Sequence, residues 1–269
     1  MERRASTQQP GTGMSRSYVV TGGGRGIGRA VVERLLDEAG TVVAIELDPT
    51  ALSWIGVHPA GPRVIAVVGD ASDEDVAERA ADLAQAAGPL TGWVNNAAVF
   101  RDASIHSAPT RTVLDLVTMN LNPAVIGCAT AIRRFLAAGT QGAIVNVSSH
   151  QARQAVPGCT PYVTAKAAIE GMTRALAVEY GPRGIRVNAV APGSVATERY
   201  KGFLGRQEPE AVARIEQEMR LLHPLGRVGR PQEVAAAIVH LLSDEASFIN
   251  GATVPVDGGR TVLARDPES

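Results

Sequence analysis

Cysteine is scarce in this chain, and its positions do not suggest structural chemistry. Cys128 and Cys159 are the only two cysteines among 269 residues, and neither belongs to a CxxC pair or a Cys/His cluster. The sequence therefore predicts neither a disulfide framework nor a zinc site, and no metal is expected. A chain without disulfides is typical of a reducing compartment, so a cytoplasmic location is expected.

An excess of charge of one sign is also lacking. The chain has 26 Lys and Arg against 27 Asp and Glu, which gives a formal net charge of −1 at pH 7. Proteins that bind nucleic acid or anionic lipid present a basic surface that neutralises phosphates. We therefore expect no nucleic-acid partner and no membrane-surface role.

Long apolar runs are missing as well. No stretch approaches the roughly 20 apolar residues that a helix needs to cross a bilayer. Residues 1–15 are polar and lack the apolar middle region of a secretory signal, so we interpret them as a disordered N-terminal tail. Residues 16–269 are expected to form a single domain, because a chain of this length with 45% hydrophobic residues can bury a large core.

Short apolar runs alternate with longer amphipathic stretches over that domain, a pattern typical of βαβ units. The runs are apolar at most positions, as expected of strands covered by helices on both faces. The pattern predicts an α/β fold with a doubly wound, parallel, seven-stranded sheet and helices on both faces. The predicted strands are Tyr18–Val20, Val42–Glu46, Val64–Val68, Gly92–Asn95, Ala143–Val147, Ile185–Val190 and Thr253–Val256. The predicted helices are Gly26–Ala39, Asp73–Ala87, Arg111–Ala138, Pro161–Tyr180 and Gln232–Ser243.

One segment interrupts the alternation. Residues 194–228 contain aromatic residues and a charged helical stretch but no strand pattern. A long insertion of this kind is typical of a lid that covers a site. His223 in this segment is expected at the surface, whereas His150 and Arg153 in an earlier loop either reach the substrate or face solvent.

A glycine cluster links the first predicted strand to the first helix, in the sequence Thr21-Gly22-Gly23-Gly24-Arg25-Gly26-Ile27-Gly28. Glycine permits a sharp turn and a close approach to a pyrophosphate, while the helix N-terminus offers free N–H groups and a partial positive charge. Glu46 ends the second strand, 18 residues beyond Gly28, where dinucleotide-binding folds hold the ribose hydroxyls. Strand, glycine loop, helix and acidic residue together predict a dinucleotide site.

The glycine spacing is TGxxxGxG, and in this and other motifs the chain resembles the short-chain dehydrogenase/reductase family in its compact form. The resemblance runs from about Tyr18 to Val262. The other motifs are Asp70-Ala71, Asn95-Asn96-Ala97-Ala98, Asn120, Ser149, Tyr162-Val163-Thr164-Ala165-Lys166, Pro192-Gly193-Ser194-Val195-Ala196-Thr197 and Val256-Asp257-Gly258-Gly259. Ala98 stands where the family usually has Gly and Ala165 where it usually has Ser, and neither change removes a group that carries chemistry.

Tyr162 and Lys166 are four residues apart and therefore share one face of a predicted helix. Thr160 and Pro161 suit the N-cap and first helical positions, which places the pair near the positive end of the helix. A nearby ammonium group, this helix end and the positive charge of a nicotinamide ring are each expected to lower the pKa of the Tyr162 phenol from about 10 toward neutrality.

Ser149 lies 13 residues before Tyr162, at the carboxyl end of the fifth strand, where doubly wound folds bind their ligands. The resemblance implies that Ser149, rather than Ser148, orients the substrate, that Lys166 also binds the ribose, and that Asn120 holds a water in a proton relay to Lys166. The implied reaction is hydride transfer between a nicotinamide dinucleotide and a carbonyl or secondary alcohol, a small molecule, with Tyr162 as general acid and base.

The same resemblance implies a set of cofactor contacts. Asp70 contacts adenine, Asn96 steadies the fourth strand beside the cofactor, and Val195 and Thr197 hold the carboxamide. The full predicted set is Gly22, Gly24, Arg25, Gly26, Ile27, Gly28, Glu46, Leu47, Asp70, Ala71, Asn96, Ala97, Tyr162, Lys166, Pro192, Val195 and Thr197.

Two residues of that set favour different cofactors. Arg25 occupies a position that assists the 2′-phosphate of NADP in the family, whereas Glu46 accepts hydrogen bonds from ribose hydroxyls and repels that phosphate. At a separation of ~4 Å and an effective dielectric of about 20 the repulsion is roughly 4 kcal/mol, while an exposed ion pair contributes about 0–1 kcal/mol. NAD is therefore the predicted cofactor.

Two other functions stay open. One is an NADPH-dependent 3-oxoacyl-(acyl-carrier-protein) reductase, in which Arg199, Lys201 and Arg206 would face the acidic carrier. The other is a catalytically idle dinucleotide-binding redox sensor. No motif identifies the substrate or the physiological direction. The resemblance implies a homotetramer with the helices of Asn120 and Tyr162 and the C-terminal segment at its interfaces.

Overall fold

Seven parallel strands form one sheet in the computed structural model of the protein, which describes residues 16–101 and 103–264. Along the sheet the strand order is β3-β2-β1-β4-β5-β6-β7. The strands are β1 (Ser17–Thr21), β2 (Thr41–Glu46), β3 (Val64–Val68), β4 (Leu90–Asn95), β5 (Gly142–Val147), β6 (Ile185–Pro192) and β7 (Thr253–Val256). The tail predicted over residues 1–15 and the last five residues of the predicted domain lie outside the described part of the chain.

Helices cover both faces of the sheet. They are α1 (Gly26–Asp37), α2 (Glu74–Ala87), α3 (Thr110–Ala138), α4 (Thr160–Tyr180), α5 (Glu198–Leu204), α6 (Pro209–Leu222) and α7 (Pro231–Leu242). Successive strand residues point to opposite faces, so Val20 joins a core with α1 and α7, and Val19 joins a core with α2, α3 and α4. This arrangement confirms the predicted α/β fold with its doubly wound, parallel, seven-stranded sheet.

Every predicted strand and helix is present, with ends that differ by at most two residues. The sequence pattern did not predict the 3₁₀ helix over Pro49–Val57, because nine mostly apolar residues show no helical period. Its start follows from local chemistry. The carboxylate of Asp48 accepts a hydrogen bond from the Thr50 N–H at 3.0 Å, and proline stands at the first helical position.

Helix α3 is the one helix in the described ranges that is long and apolar enough, by length and composition, to cross a membrane. Its inner face packs on β4, on β5 and on α4. The contact is close at Gly127, where an added Cβ would lie 2.0 Å from Asn95 Oδ1. The apolar character of α3 therefore serves the core of the sheet, as in other central helices.

A buried polar network joins β4, β5, α3 and α4 beneath the carboxyl ends of the strands. Asn95 accepts a hydrogen bond from Trp93 Nε1 at 2.9 Å and donates one to Asn146 Oδ1 at 2.8 Å. Asn146 in turn donates to Thr173 Oγ1 on α4 at 2.9 Å. Leaving any of these groups unpaired would cost about 1–3 kcal/mol, so the network fixes α4 against the sheet.

The centre of the sheet contains its switch point. β1 and β4 pair side by side, but the chain leaves β1 toward β2 and leaves β4 toward β5. In open α/β sheets ligands bind in the crevice that forms at this point, outside the carboxyl ends of the strands. The glycine loop follows β1 and Asn96 follows β4, so both predicted cofactor motifs lie there.

Candidate active site

The glycine loop is a tight turn that is hydrogen-bonded to the end of β4. Gly22 has a positive φ of 64°, and an added Cβ at Gly28 would lie 1.9 Å from the Gly22 carbonyl oxygen. Asn96 Nδ2 donates to the carbonyl oxygens of Thr21 and Gly22, each at 3.1 Å. Thr21 Oγ1 accepts from the N–H groups of Asn96 at 2.9 Å and Ala97 at 3.0 Å. The turn therefore requires glycine for steric reasons.

This turn forms a cradle that fits a dinucleotide. Helix α1 begins at Gly26 with no acidic residue in its first turn, so its N-terminal N–H groups favour an anion such as a pyrophosphate. An added Cβ at Gly24 would lie 2.8 Å from Glu46 Oε2, so only glycine leaves the space beside that carboxylate open. Ile27 packs partly into the core and anchors the helix start.

Glu46 is fixed at the end of β2 by main-chain donors. Its Oε2 accepts from the Gly24 N–H at 3.0 Å, and its Oε1 accepts from the N–H groups of Leu47 at 3.0 Å and Asp48 at 3.3 Å. Asp48 also forms an ion pair with Arg25. The basic residue that sequence reasoning weighed in favour of NADP is thus engaged by a carboxylate that this reasoning missed.

Asp70 and Ala71 follow β3, next to the end of β2. The Asp70 carboxylate is exposed and accepts a hydrogen bond from the Ser72 N–H of the same loop at 2.8 Å. Ala71 is buried. The Gly69 N–H donates to the Glu46 carbonyl oxygen at 3.0 Å. The structure therefore places both residues beside Glu46, at the same edge of the sheet as the glycine loop.

Ser149, Tyr162 and Lys166 lie together at the carboxyl end of β5. The Ser149 side chain lies near the Tyr162 phenol and acts to lower its pKa. Lys166 Nζ lies 5.5 Å from the centroid of the Tyr162 ring and donates to the Val147 carbonyl oxygen at 2.8 Å. All three side chains are buried, with 2% of Lys166 and 7% of the other two exposed, so they act on one another in a largely dry environment.

Helix α4 starts one residue earlier than predicted. Thr160 is its first helical residue and Cys159 takes the N-cap position, so the expectation that Thr160 is the N-cap is wrong by one residue. Helix ends of this kind are set by hydrogen-bond geometry that sequence patterns locate only within a residue or two. Tyr162 still lies in the first turn, at the positive end of the helix.

The pKa of the Tyr162 phenol differs from the sequence expectation. Burial raises it to about 12, against the opposing effects of the Ser149 hydrogen bond and the Arg199 charge. Burial also lowers the pKa of Lys166 to about 8. The expected lowering of the Tyr162 pKa is therefore absent from the protein by itself, because loss of water around the phenol outweighs the favourable groups.

The neighbouring Ser148 faces away from the phenol. Its Oγ lies 3.2 Å from the Lys166 carbonyl oxygen and 3.1 Å from Glu170 Oε1, both acceptors for its hydroxyl. Ser149 Oγ instead accepts from the Gln151 N–H at 3.1 Å and remains beside Tyr162. Of the two serines, Ser149 is therefore the one whose side chain lies beside the phenol.

Asn120 is buried on α3, and its side chain is occupied by main-chain partners. Its Oδ1 accepts from the Val99 N–H at 3.0 Å, and its Nδ2 donates to the Leu116 carbonyl oxygen at 3.0 Å. The side chain therefore orders the loop after β4. The predicted water relay to Lys166 stays a prediction, and it would need the main chain of Asn120 rather than the side chain.

The predicted lid contains α5 and α6, and its two ends are joined at the base. The Ala196 N–H donates to the Gly229 carbonyl oxygen and the Gly229 N–H donates to the Ser194 carbonyl oxygen, both at 2.8 Å. Val195 and Gly229 thus form an isolated parallel bridge. The segment shows no strand pattern because this pairing extends over a single residue on each side.

His223 is buried rather than at the surface, so the expectation for this residue is wrong. Only 1% of it is exposed. Its Nε2 accepts from the Ser194 N–H at 3.3 Å, and its Nδ1 lies 2.8 Å from the Met219 carbonyl oxygen, which requires a proton on Nδ1. These two bonds attach the end of α6 to the loop after β6 and explain the burial.

The loop from Pro192 to Thr197 faces the glycine loop across the crevice. Thr197 caps α5, and its Cγ2 lies 3.1 Å from the position of an added Cβ on Gly26. Glu198 Oε2 accepts from the Gly26 N–H at 2.9 Å. The predicted carboxamide contacts Val195 and Thr197 therefore lie opposite the predicted pyrophosphate site.

An aromatic residue that sequence reasoning missed packs against Tyr162. The Phe100 ring lies 5.0 Å from the Tyr162 ring at an interplanar angle of 33°. The Arg199 guanidinium in turn stacks on Phe100, 3.8 Å from the centroid of its ring. The only available signal was a large aromatic residue directly after the Asn95-Asn96-Ala97-Ala98-Val99 run.

His150 lies behind the site and is buried rather than facing solvent. Its Nδ1 is 3.2 Å from the Pro192 carbonyl oxygen, while its Nε2 is buried and has no hydrogen-bond partner among the described residues. Burial, aided by the Arg260 charge, lowers the pKa of His150 to about 4. Arg153 instead faces the buried Glu170 carboxylate at 3.4 Å and is half exposed.

The low pKa of His150 predicts a loss of stability in acid. An unfolded histidine has a pKa near 6.5, so the unfolded chain binds more protons than the folded one between about pH 6.5 and pH 4. Acidification through this window should therefore lower the free energy of unfolding by up to about 3 kcal/mol. We expect His150→Asn, which keeps a donor for Pro192, to lose less unfolding free energy over the window, as measured by urea denaturation. Parallel acid profiles for the two proteins would contradict this expectation.

Known proteins match this chain over nearly its whole length. Residues 22–261 match the family described as Enoyl-(Acyl carrier protein) reductase. A 2,5-dichloro-2,5-cyclohexadiene-1,4-diol dehydrogenase of Sphingobium indicum is 34% identical over 92% of this chain and 98% of its own. A 2-(S)-hydroxypropyl-CoM dehydrogenase of Xanthobacter autotrophicus is 37% identical over 91% of this chain and 96% of its own.

Solved structures agree with these sequence matches. The crystal structure of levodione reductase superposes with a TM-score of 0.84 at 30% identity, covering 94% of this chain and 99% of its own. An aldohexose dehydrogenase of Thermoplasma acidophilum gives a TM-score of 0.82 at 30% identity, over 94% and 96% of the two chains. Together with the TGxxxGxG loop and the Ser149, Tyr162 and Lys166 cluster, these matches show that the chain is an oxidoreductase of the short-chain dehydrogenase/reductase family.

Proposed function

We propose that the protein transfers a hydride between NAD(H) and the carbonyl or secondary alcohol of a small molecule, with residues 16–269 as one catalytic domain. The observation that carries the proposal is the cluster of Ser149, Tyr162 and Lys166 beside the glycine cradle. The names of the relatives, among them diol and hydroxypropyl dehydrogenases and a levodione reductase, fit chemistry at a CH–OH group.

The chain supplies acid–base chemistry at one oxygen atom. When bound, the dinucleotide supplies the hydride donor for a carbonyl or the acceptor for an alcohol. The Tyr162 hydroxyl gives its proton to the substrate oxygen in reduction and takes it back in oxidation. Ser149 Oγ donates a hydrogen bond to the same oxygen. Lys166, fixed by Val147, places its ammonium beside the phenol and within the cofactor crevice, where it would bind the ribose.

The electrostatics of the cradle favour NAD over NADP. The Glu46 carboxylate lies beside Gly24, in the space where a ribose would fit. The Arg25 guanidinium, which could otherwise attract a 2′-phosphate, is paired with Asp48. Both features raise the free energy of a phosphate at this point and leave the hydroxyls of NAD well matched to a carboxylate acceptor.

Assembly and location complete the proposal. We propose a homotetramer in the cytoplasm, without nucleic-acid or membrane partners. The outer faces of α3 and α4 expose the large apolar side chains of Met119, Val125 and Val178, which supports an interface there. Cys128 is buried and forms no disulfide, as suits a reducing compartment.

A spectrophotometric screen tests the proposed function. Purified protein is incubated with NAD or NADP and a panel of secondary alcohols, sugars, steroids and oxoacyl thioesters, and nicotinamide absorbance is followed. NAD-linked turnover of alcohols supports the proposal. Turnover restricted to NADPH and oxoacyl groups on an acidic carrier protein would instead identify a 3-oxoacyl-carrier reductase. Dinucleotide binding without any turnover would identify a redox sensor.

The contact between Glu198 and Gly26 predicts that the lid opposes cofactor binding. A pyrophosphate at the N-terminus of α1 would need the Gly26 N–H and would meet the Glu198 carboxylate as a like charge. A charge at a helix end is worth about 0.3–1 kcal/mol, so we expect Glu198→Gln to bind NAD about two- to fivefold more tightly in calorimetric titrations. Glu208→Gln, an exposed change at the start of α6, is the matched control. Equal or weaker binding by the Glu198 variant would show that the contact does not compete.

A further inference from the structure

Arg199 is an exposed cation that stacks on Phe100, the ring next to Tyr162. Its guanidinium lies 3.8 Å from the centroid of the Phe100 ring, and that ring lies 5.0 Å from the Tyr162 ring. Its positive charge reaches the Tyr162 phenol, where it opposes the rise in pKa that burial causes. Arg199 belongs to α5, the first helix of the predicted lid.

Two other arginines near the crevice differ from Arg199 in one respect. Arg25 is paired with Asp48, and Arg153 faces Glu170 at 3.4 Å. For Arg199, the described residues provide no ion pair and no hydrogen bond. A guanidinium stacked face-on against an aromatic ring still has its N–H donors free along the edge. Arg199 is therefore held in position, and no carboxylate within residues 16–101 and 103–264 neutralises it.

Resting on the proposed function, we infer that the substrate carries a carboxylate near its reacting carbon and that Arg199 binds this group. Arginine holds carboxylates through two parallel N–H bonds, a geometry that its planar fork favours. A single guanidinium also matches the charge of a single carboxylate. The substrates would accordingly be hydroxy acids and the corresponding oxo acids.

Matched acids and methyl esters test this inference on the intact enzyme. The probes are 3-oxo and 4-oxo acids of increasing chain length, each compared with its methyl ester, and the readout is kcat/KM with NADH. For the acid series that the wild type reduces faster, we expect kcat/KM to exceed that of the matching methyl ester by roughly 10- to 100-fold. This is the range that charge-assisted hydrogen bonds provide. The inference would be overturned if some ketone is reduced but no acid has a higher kcat/KM than its methyl ester.

Two variants separate substrate binding from an effect on the phenol. Arg199→Met keeps an apolar contact with Phe100 but removes the charge, so the acid-to-ester ratio should fall to near one. Arg214→Met removes an exposed positive charge from α6 and should leave the ratio unchanged. An equal loss for acids and esters in Arg199→Met would show that Arg199 acts through Tyr162 and would overturn its assignment to the substrate.

A binding measurement keeps the inference distinct from the proposed function. If no ketone or alcohol of any class is turned over, the proposed function fails. Calorimetric titration of 4-oxopentanoate into the enzyme with NADH then decides the inference alone. Binding to the wild type that Arg199→Met weakens tenfold or more supports it, as expected for loss of a charged pair. Equal affinity, or no binding, overturns it.

Discussion

Replacement of Tyr162 by Phe is expected to lower kcat by 10²-fold or more while NAD still binds. The change keeps the ring that packs against Phe100 and removes only the hydroxyl that exchanges a proton with the substrate. General acid–base catalysis by a positioned side chain contributes typically about 10²- to 10⁴-fold, which sets the expected loss. Steady-state rates together with calorimetric NAD affinities measure both parts of the expectation.

Tyr180→Phe is the matched control for this substitution. It makes the same chemical change at the opposite end of α4, where the tyrosine is the last helical residue. Its kcat should stay close to that of the wild type. A Tyr162→Phe enzyme that keeps a third or more of wild-type kcat would mean that another group moves the proton, and would remove Tyr162 from the mechanism.

The pKa of Tyr162 adds a pH dependence to the same prediction. Alcohol oxidation needs the phenolate, and with a phenol pKa raised to about 12 this form is rare near neutrality. We therefore expect kcat/KM for oxidation to rise with pH, whereas reduction uses the abundant protonated phenol. Lys166, with a pKa lowered to about 8, loses its charge as pH rises and should limit the gain at alkaline pH.

Much of the fold was predictable because local patterns and global architecture agree in this chain. Central strands such as β2 and β5 begin and end within one residue of their apolar runs, since burial on both faces makes nearly every position apolar. The glycine loop was predictable for a steric reason that is equally local. A Cβ at Gly28 has no space beside the Gly22 carbonyl, so the turn requires glycine at this position and can be predicted from it.

The features that sequence reasoning missed depend on contacts between distant segments. Asp48 and Arg25 are 23 residues apart, and Asn95 and Asn146 are 51 apart, so no short pattern connects either pair. The prediction of a lowered pKa for Tyr162 was wrong for a related reason. Its helix and its lysine are visible in the sequence, but the burial of the phenol depends on contacts with distant segments, such as that with Phe100.

The preference for NAD over NADP is expected to be large, about 10²- to 10³-fold in kcat/KM. A phosphate ~4 Å from the Glu46 carboxylate is repelled by roughly 4 kcal/mol per unit charge at an effective dielectric of about 20. The opposing attraction of Arg25 is small. This residue is about half exposed, where ion pairs contribute about 0–1 kcal/mol, and it is already bound to Asp48. The repulsion should therefore determine the cofactor.

Glu46→Ser should bring the ratio of kcat/KM values for NAD and NADP close to one. The substitution also removes the acceptor for the Gly24 N–H, which weakens the cradle for both cofactors, but this common loss cancels in the ratio. Asp48→Asn should lower the ratio by a smaller factor, because it frees Arg25 for the phosphate while Glu46 stays charged. Glu38→Ser, an exposed change at the far end of α1, is the control. A wild type that favours NADP, or a Glu46→Ser ratio equal to that of the wild type, would show that this carboxylate does not face the ribose.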